Sequence, residues 1–449
     1  MSTGILALVG FIMVATIVWG LIQSKITPIP VFVIVSITAA LVVMVPDAIM
    51  NGAPLSELFT FIKNGVGKTM PIAVLFIFSI IYFCIMNDVG MFDPLVNALV
   101  KMAKTNVILV TVATAIIAIL GHLDGALAST LLITVPAMLP IYKRLNMRPL
   151  TLLVIIGAAM SIMNLLPWGG PVARTATITG MDINQLWQDL IPMQVVCCIL
   201  VIGFAAFMGA VEKRRGAGLS ATGNTDDAAG IEAEVIDPKI AALKRPHLVW
   251  FNILLTLGVI GLLCFTKIPL YAAFLIGLSI ALVVNFPNAK DQTARIKAHA
   301  AEALPMASIL LASGVFLGVL SGTKMIDAMA TTMINIIPDF LGPYLHVIMG
   351  IFSVPIGMVL GTDSFFFGLV PLAMEVGAKF GIDPNNMAKW MLIGKNFGVL
   401  VTPHAATTFL AIGLAGVELK DHLKFCTIWL WGLSLITLFV GVLMGTIYL

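Results

Sequence analysis

Charge is what this sequence lacks most. Lys, Arg, Asp and Glu make up 10% of its 449 residues, while apolar residues make up 60%; a soluble domain carries about a quarter charged residues. So few charges cannot coat a water-facing surface, however large the core beneath it. With a mean hydropathy of +1.07, the expectation is an all-α polytopic membrane protein, which excludes a soluble enzyme or a secreted scaffold. An excess of one sign is also missing. Against 25 basic residues stand 22 acidic ones, a net of +3, too weak to hold a polyanion, so no nucleic-acid partner is expected. Cysteine is scarce: Cys84, Cys197, Cys198, Cys264 and Cys426 lie mostly in apolar runs without CxxC spacing, which argues against a disulfide framework or a zinc motif. Walker A, HExxH and GxGD patterns are absent, so ATP-driven transport and intramembrane proteolysis lose their signatures. The run Gly4 to Ile22 has no basic flank and no small-residue cleavage site, and reads as a first spanning helix.

What is present is a succession of apolar runs near the spanning length of about 20 residues. They fall at 4–22, 28–46, 70–87, 150–179, 191–210, 248–265, 269–286, 305–321, 388–415 and 425–447. Those at 150–179 and 388–415 are interrupted by proline and glycine, and 106–142 and 343–378 carry polar residues at mid-run, as re-entrant hairpins do. Residues 212–246 are polar and rich in Gly and Ala, and read as a cytoplasmic linker. On either side the chain repeats itself: Pro71, Met91 and Asp93 recur as Pro305, Met325 and Asp327, Pro136 and Pro149 as Pro371 and Pro384, and Pro167 as Pro403. The implied domains are an N-terminal repeat 1–211 (first helices 1–100, hairpin and broken helix 101–211) and a C-terminal repeat 247–449 (247–342, then 343–449). Basic residues mark the cytoplasmic loops: Lys101 and Lys104, Lys143, Arg144 and Arg148, and Lys213 to Arg215. Counting crossings from them brings the first hairpin in from the cytoplasm and the second from outside. The expected architecture is an inverted repeat of five spanning helices and one hairpin per half. The run Asn288 to Ala303 is amphipathic and reads as a helix lying on the membrane surface.

Four stretches put polar residues or helix breakers at membrane depth: GHLDGALAST (Gly121 to Thr130), NLLPWGGPVARTAT (Asn164 to Thr177), GTDSFFFG (Gly361 to Gly368) and GKNFGVLVTPHAATT (Gly394 to Thr408). Irregular backbone survives at that depth only inside protein or around a polar cavity. An intramembrane charge costs about 2.5–3.5 kcal/mol on insertion scales, yet Asp124, Asp363, Arg174 and Lys395 all fall in these stretches. A midplane binding site is expected. Arg174 and Lys395, with hydroxyls of Thr175, Thr177, Thr402, Thr407 and Ser364, suit an anionic, oxygen-rich solute, aided by half-helix N-termini. Asp124 and Asp363 are cation ligands, proton carriers or partners of the basic residues. His122 and His404 are candidates for proton handling, and Asn164 and Asn396 can supply amide donors.

At the same stretches the chain resembles the citrate–metal:proton symporter (CitMHS) family of the wider ion-transporter superfamily. The residues that carry the likeness are HLDG (His122 to Gly125), ITVPAMLPIYKRLNMRPL (Ile133 to Leu150), MNLLPWGGPVAR (Met163 to Arg174), LGTDSFFFGLVPLAMEVGAKFGIDP (Leu360 to Pro384) and GLAGVELKDH (Gly413 to His422). The resemblance implies a secondary transporter in a bacterial inner (cytoplasmic) membrane. It would take up citrate or a related di- or tricarboxylate by proton symport, with the substrate-bound divalent cation and the proton as travelling ions and no permanent cofactor. It also implies a homodimer with a scaffold and an elevator-like moving domain, in contact with membrane lipid. Carried onto this chain, the site comprises His122, Asp124, Asn164, Gly169, Arg174, Thr362, Asp363, Ser364, Asn396, Thr402 and Thr407, to which the residue reading adds Lys395 and His404. Proton or cation coupling would fall to Asp124, Asp363 and His122. The chain departs from the pattern at ALAST after HLDG, and at Lys395 and His404, where neutral groups are expected; a lysine ammonium there can take the electrostatic role of a bound cation. The competing reading is an inorganic-ion or sodium-coupled transporter or antiporter of the same superfamily, which would have no use for a basic pair.

Overall fold

Runs this long and this apolar satisfy their backbone polar groups internally only as helices. The computed structural model describes residues 2–23, 25–102, 106–218, 242–266, 268–403 and 405–449, and among them there is no strand. The first half comprises α1 (Thr3–Gln23), α2 (Pro28–Asn51), α3 (Glu57–Asp88), α4 (Asp93–Met102), α5 (Val107–Gly121), α6 (Leu127–Arg144), α7 (Pro149–Met163), α8 (Gly170–Thr179) and α9 (Ile183–Arg214). The second comprises α10 (Val249–Phe265), α11 (Leu270–Asn285), α12 (Ala289–Gly322), α13 (Met325–Ile334), α14 (Leu345–Asp363), α15 (Val370–Lys379), α16 (Pro384–Asn396), α17 (Ala406–Ala415) and α18 (Leu419–Leu443). Long and short helices follow one another in the same order in both halves. Among the described residues, 9 helical segments are long and apolar enough to cross a membrane; this is a multi-pass membrane protein. The trace also amends two expectations. α12 runs unbroken through Pro305, so 288–303 is the first part of one 34-residue helix rather than a separate surface helix. α9 continues to Arg214, so the linker opens as helix, and most of it lies outside the described residues.

Local chemistry sets the breaks. Pro149 and Pro384 open α7 and α16 from the first turn, where a missing N–H costs nothing. Each hairpin turns on a glycine with positive φ, Gly125 at 71° and Gly361 at 76°, a backbone region that other residues enter only under strain. α7 is apolar all round and buried from Thr151 to Met163, as a helix of that composition must be when it lies inside a bundle; α16 is buried almost as completely. The outer faces of α1, α2 and α10 keep large apolar side chains exposed, Trp19, Ile34 and Trp250 among them, as lipid-facing helices do.

α3 and α12 pack against each other along most of their length, and they run antiparallel. Phe61 lies against Gly318 and Gly322, Gly65 against Gly314, and further along Cys84 meets Glu302. Gly314, Gly318 and Gly322 repeat every fourth residue, the spacing that lets helix backbones approach in a membrane. The approach is close: a Cβ built on Gly65 would sit 2.0 Å from the Gly314 carbonyl oxygen.

Candidate functional site

The four irregular stretches meet around a cavity of about 350 Å3. Gly125 to Ser129 of the first hairpin form one wall. Asn164, Trp168, Gly170, Pro171 and Arg174 come from the break between α7 and α8. Thr362 comes from the second hairpin, and Lys395, Asn396, Val399 and Thr407 from the break between α16 and α17. Phe76, Ile80, Glu302 and Met306 of the α3–α12 pair close it. α8 and α17 both begin at this cavity, so their first-turn amides and positive dipole ends converge on it.

Two cations stand on its wall. Arg174 donates Nε and Nη2 to Asp363 Oδ1, at 2.8 and 2.6 Å, and leaves Nη1 beside Gly170 without a hydrogen-bond partner among the described residues. Lys395 is 1% exposed. Its stem lies along Gly357 and its ammonium donates to Thr362 Oγ1 at 2.8 Å, with no carboxylate of the described residues in ion-pair reach. Of the three partners expected for Lys395, namely Asp124, Asp363 and a substrate carboxylate, neither aspartate is in contact: Arg174 engages Asp363, and Asp124 is turned into its own hairpin. Each cation also sits 6.0 Å from a phenylalanine ring, Arg174 from Phe367 and Lys395 from Phe366, within cation–π range. Both amide atoms of the Asn396 side chain are buried without a partner among the described residues, as is Ser364 Oγ. Unpaired polar atoms of that kind cost about 1–3 kcal/mol each, a cost that a solute with oxygen atoms offsets for Asn396, which is on the wall.

Behind the wall, the remaining polar residues hold the irregular backbone in place. His122 joins Thr130 Oγ1 (2.7 Å) to Asn164 Oδ1 (3.1 Å) and so ties the first hairpin to the first break. Asp124 accepts from the Ala126 amide at 2.8 Å and from the Ser129 hydroxyl. Trp168 Nε1 donates to the Leu123 carbonyl at 2.6 Å, while its ring lies 5.0 Å from Phe274, 5.3 Å from Phe83 and 6.2 Å from Trp187. A Cβ on Gly169 would clash with the Asn164 carbonyl oxygen, so a glycine here permits the break to fold. Thr402 donates to the Gly398 carbonyl inside its own break. Of the residues expected from sequence, Asn164, Arg174, Thr362, Lys395, Asn396 and Thr407 line the cavity; His122, Asp124, Gly169, Asp363, Ser364 and Thr402 stand behind it; His404 lies outside the described residues. Sequence reasoning missed Ser129, Trp168 as a wall, and above all Glu302, the one carboxylate on the lining among the described residues.

A second cavity of about 650 Å3 opens at the other end of the α3–α12 pair, lined by Asn64, Lys68, Thr177, Ser321 and Glu375 among others. α8 begins in the first cavity and ends in the second, with Arg174 between.

The CitMHS model, described as citrate transporter, matches residues 14–394. The citrate transporter of Bacillus subtilis (strain 168) is 35% identical over 98% of this chain and 99% of its own. The Mg(2+)/citrate complex secondary transporter of the same organism is 34% identical over the same shares. In fold, the chain is similar to the crystal structure of the Alcanivorax borkumensis YdaH transporter, with a TM-score of 0.59 at 14% identity, covering 87% of this chain and 88% of that one. With a family model spanning most of its length and two full-length relatives above 30% identity, the chain belongs to the CitMHS family, whose members are transporters and not enzymes.

Proposed function

We propose that the protein takes up citrate, or a closely related di- or tricarboxylate, by secondary active transport. The observation that carries this reading is the convergence of Arg174, Lys395 and two half-helix N-termini on one cavity, whose volume falls in the usual range for small-molecule sites, about 300–1,000 Å3. Asp363 holds the guanidinium of Arg174 by Nε and Nη2 and leaves Nη1 for a substrate carboxylate. It also cancels part of the positive charge, so that a bound anion can leave again. Lys395, Asn396, Thr362 and Thr407 complete a donor set for a multiply charged anion. The names of the relatives support citrate, alone or as its Mg2+ complex.

Coupling follows from electrostatics. Moving an anion inward against a negative interior costs about 2.3 kcal/mol per charge per 100 mV, so a trivalent solute needs cations to travel with it. We assign proton coupling to Asp124, His122 and Asp363, which hold the hairpins and breaks that must rearrange. An inverted repeat accounts for the antiparallel course of the equivalent helices α3 and α12, and we assign the transport step to an elevator-like movement of the two hairpins and broken helices against the remaining helices, as the family resemblance implies. A homodimer, with lipid around it, follows from the family resemblance.

The test is uptake of radiolabelled citrate into proteoliposomes, with and without Mg2+, under an imposed proton gradient or an imposed sodium gradient. Accumulation driven by the proton gradient is the expected result. Accumulation that ignores the proton gradient and follows sodium would remove the proton assignment, and absence of binding to any di- or tricarboxylate would remove the substrate class.

A further inference from the structure

Where the C-terminal end of α3 meets the first turns of α12, three side chains with metal-binding chemistry face one another. Cys84 Sγ, a ring nitrogen of His299 and a carboxylate oxygen of Glu302 all lie within 4.8 Å of each other. We propose that Cys84, His299 and Glu302 form a protein-held binding site for a transition-metal dication of the zinc class, at the rim of the substrate cavity.

The geometry is nearly assembled. Ligands about 2.0–2.3 Å from a tetrahedral ion sit about 3.3–3.8 Å apart, and Cys84 Sγ is already 3.0 Å from Glu302 Oε2. His299 and Glu302 are three residues apart on one helix and so share a face, while Cys84 approaches from α3. A carboxylate steadies the imidazole from behind: Asp88 Oδ2 lies 2.7 Å from His299 Nε2 and also pairs with Arg295 at 3.4 Å. With Nε2 so engaged, Nδ1 is the nitrogen left to ligate, and a carboxylate behind a histidine is the usual support of a metal-bound ring. The donor set chooses the ion. A thiolate and a carboxylate cancel a double positive charge, and sulfur with imidazole favours zinc or cobalt over magnesium, which demands oxygen. The thiol proton, now directed at Glu302, leaves to water as the metal binds.

Three protein ligands leave a fourth position open. Because Glu302 also lines the cavity, that position is available to water or to a carboxylate held there. The site joins α3 to α12, so an ion in it ties the two helices together beside the solute. None of this depends on what the protein transports, and the test is made without substrate.

Purified full-length protein in detergent is titrated with Zn2+ by calorimetry and with Co2+ by absorbance. The wild type is expected to bind one equivalent of Zn2+ and to show the intense thiolate-to-cobalt charge-transfer band. Cys84→Ser should lose that band and weaken Zn2+ binding at least tenfold, and Glu302→Gln should weaken it while keeping the band at higher Co2+. Metal-free unfolding temperatures of the variants establish that they are folded; should Cys84→Ser fail this check, Glu302→Gln on the exposed side of the cluster carries the comparison. No saturable binding by the wild type overturns the proposal, as does binding that Glu302→Gln leaves unchanged.

Discussion

Lys395 is held by neutral groups: a threonine hydroxyl, a phenylalanine face and a bare stretch of backbone at Gly357. A buried ammonium without a counterion is expensive, and on the proposed function a substrate carboxylate would remove that expense. Lys395→Gln is therefore expected to weaken citrate binding tenfold or more, at least about 1.4 kcal/mol. If the ammonium takes the electrostatic place of a bound metal, wild-type uptake should survive EDTA, and the glutamine variant should regain affinity when Mg2+ is added. Loss of wild-type uptake in EDTA would instead assign the metal complex as the travelling species. Gly357→Ala separates position from charge. Its new methyl would press on the lysine stem at 3.0 Å, so affinity should fall by roughly tenfold or less with the charge intact, measured by the same binding assay. Arg174 and Lys395 were legible in the sequence because charges at membrane depth are rare. Glu302 was not, because its run is amphipathic and only the tertiary approach of α12 to the first hairpin turns it inward.

The breaks between α7 and α8 and between α16 and α17 announce themselves through proline and glycine, and so do the hairpin tips at Gly125 and Gly361. What joins α3 to α12 is less visible. Gly65 and Gly314 become neighbours only through an antiparallel packing of helices far apart in the chain; the repeat of Gly314, Gly318 and Gly322 marks a face for close approach but not the helix that meets it. Gly65→Ala is expected to force these helices apart or off their rotamers, at a cost of about 1–3 kcal/mol or more, seen as a lower unfolding temperature in detergent. An unchanged unfolding temperature would mean that the α3–α12 contact contributes little. The length of α12 was likewise illegible, because Pro305 reads as a boundary, whereas neighbouring helices in a bundle can accommodate a proline within a continuous helix.

For the molecule as a whole, two cavities at opposite ends of one antiparallel helix pair are what alternate opening to two sides of a membrane requires. Single cysteines at Ser129, on the first cavity, and at Ser321, on the second, are expected to react with a membrane-impermeant thiol reagent from opposite sides in a background without native cysteines. Reaction of both from one side would sink the inverted-repeat reading. Asp182 and Lys213, at the two ends of α9, supply the sidedness reference. The repeat is read from prolines recurring at a nearly constant offset, Pro71 and Pro305, Pro136 and Pro371, Pro167 and Pro403, since duplication preserves helix punctuation better than it preserves the side chains that fill the core.

The rings around Trp168 and its own belong to four different parts of the chain. Its own ring is in the first break, Phe83 is on α3, Phe274 is on α11 and Trp187 is on α9. Any sliding of the break past those helices must unstack it, and a stacked indole emits differently from a free one. The protein thus contains its own optical gauge of conformation. Stopped-flow mixing with citrate is expected to change tryptophan emission in the wild type, and Trp168→Phe, with the other six tryptophans of the chain in place, should abolish most of that change.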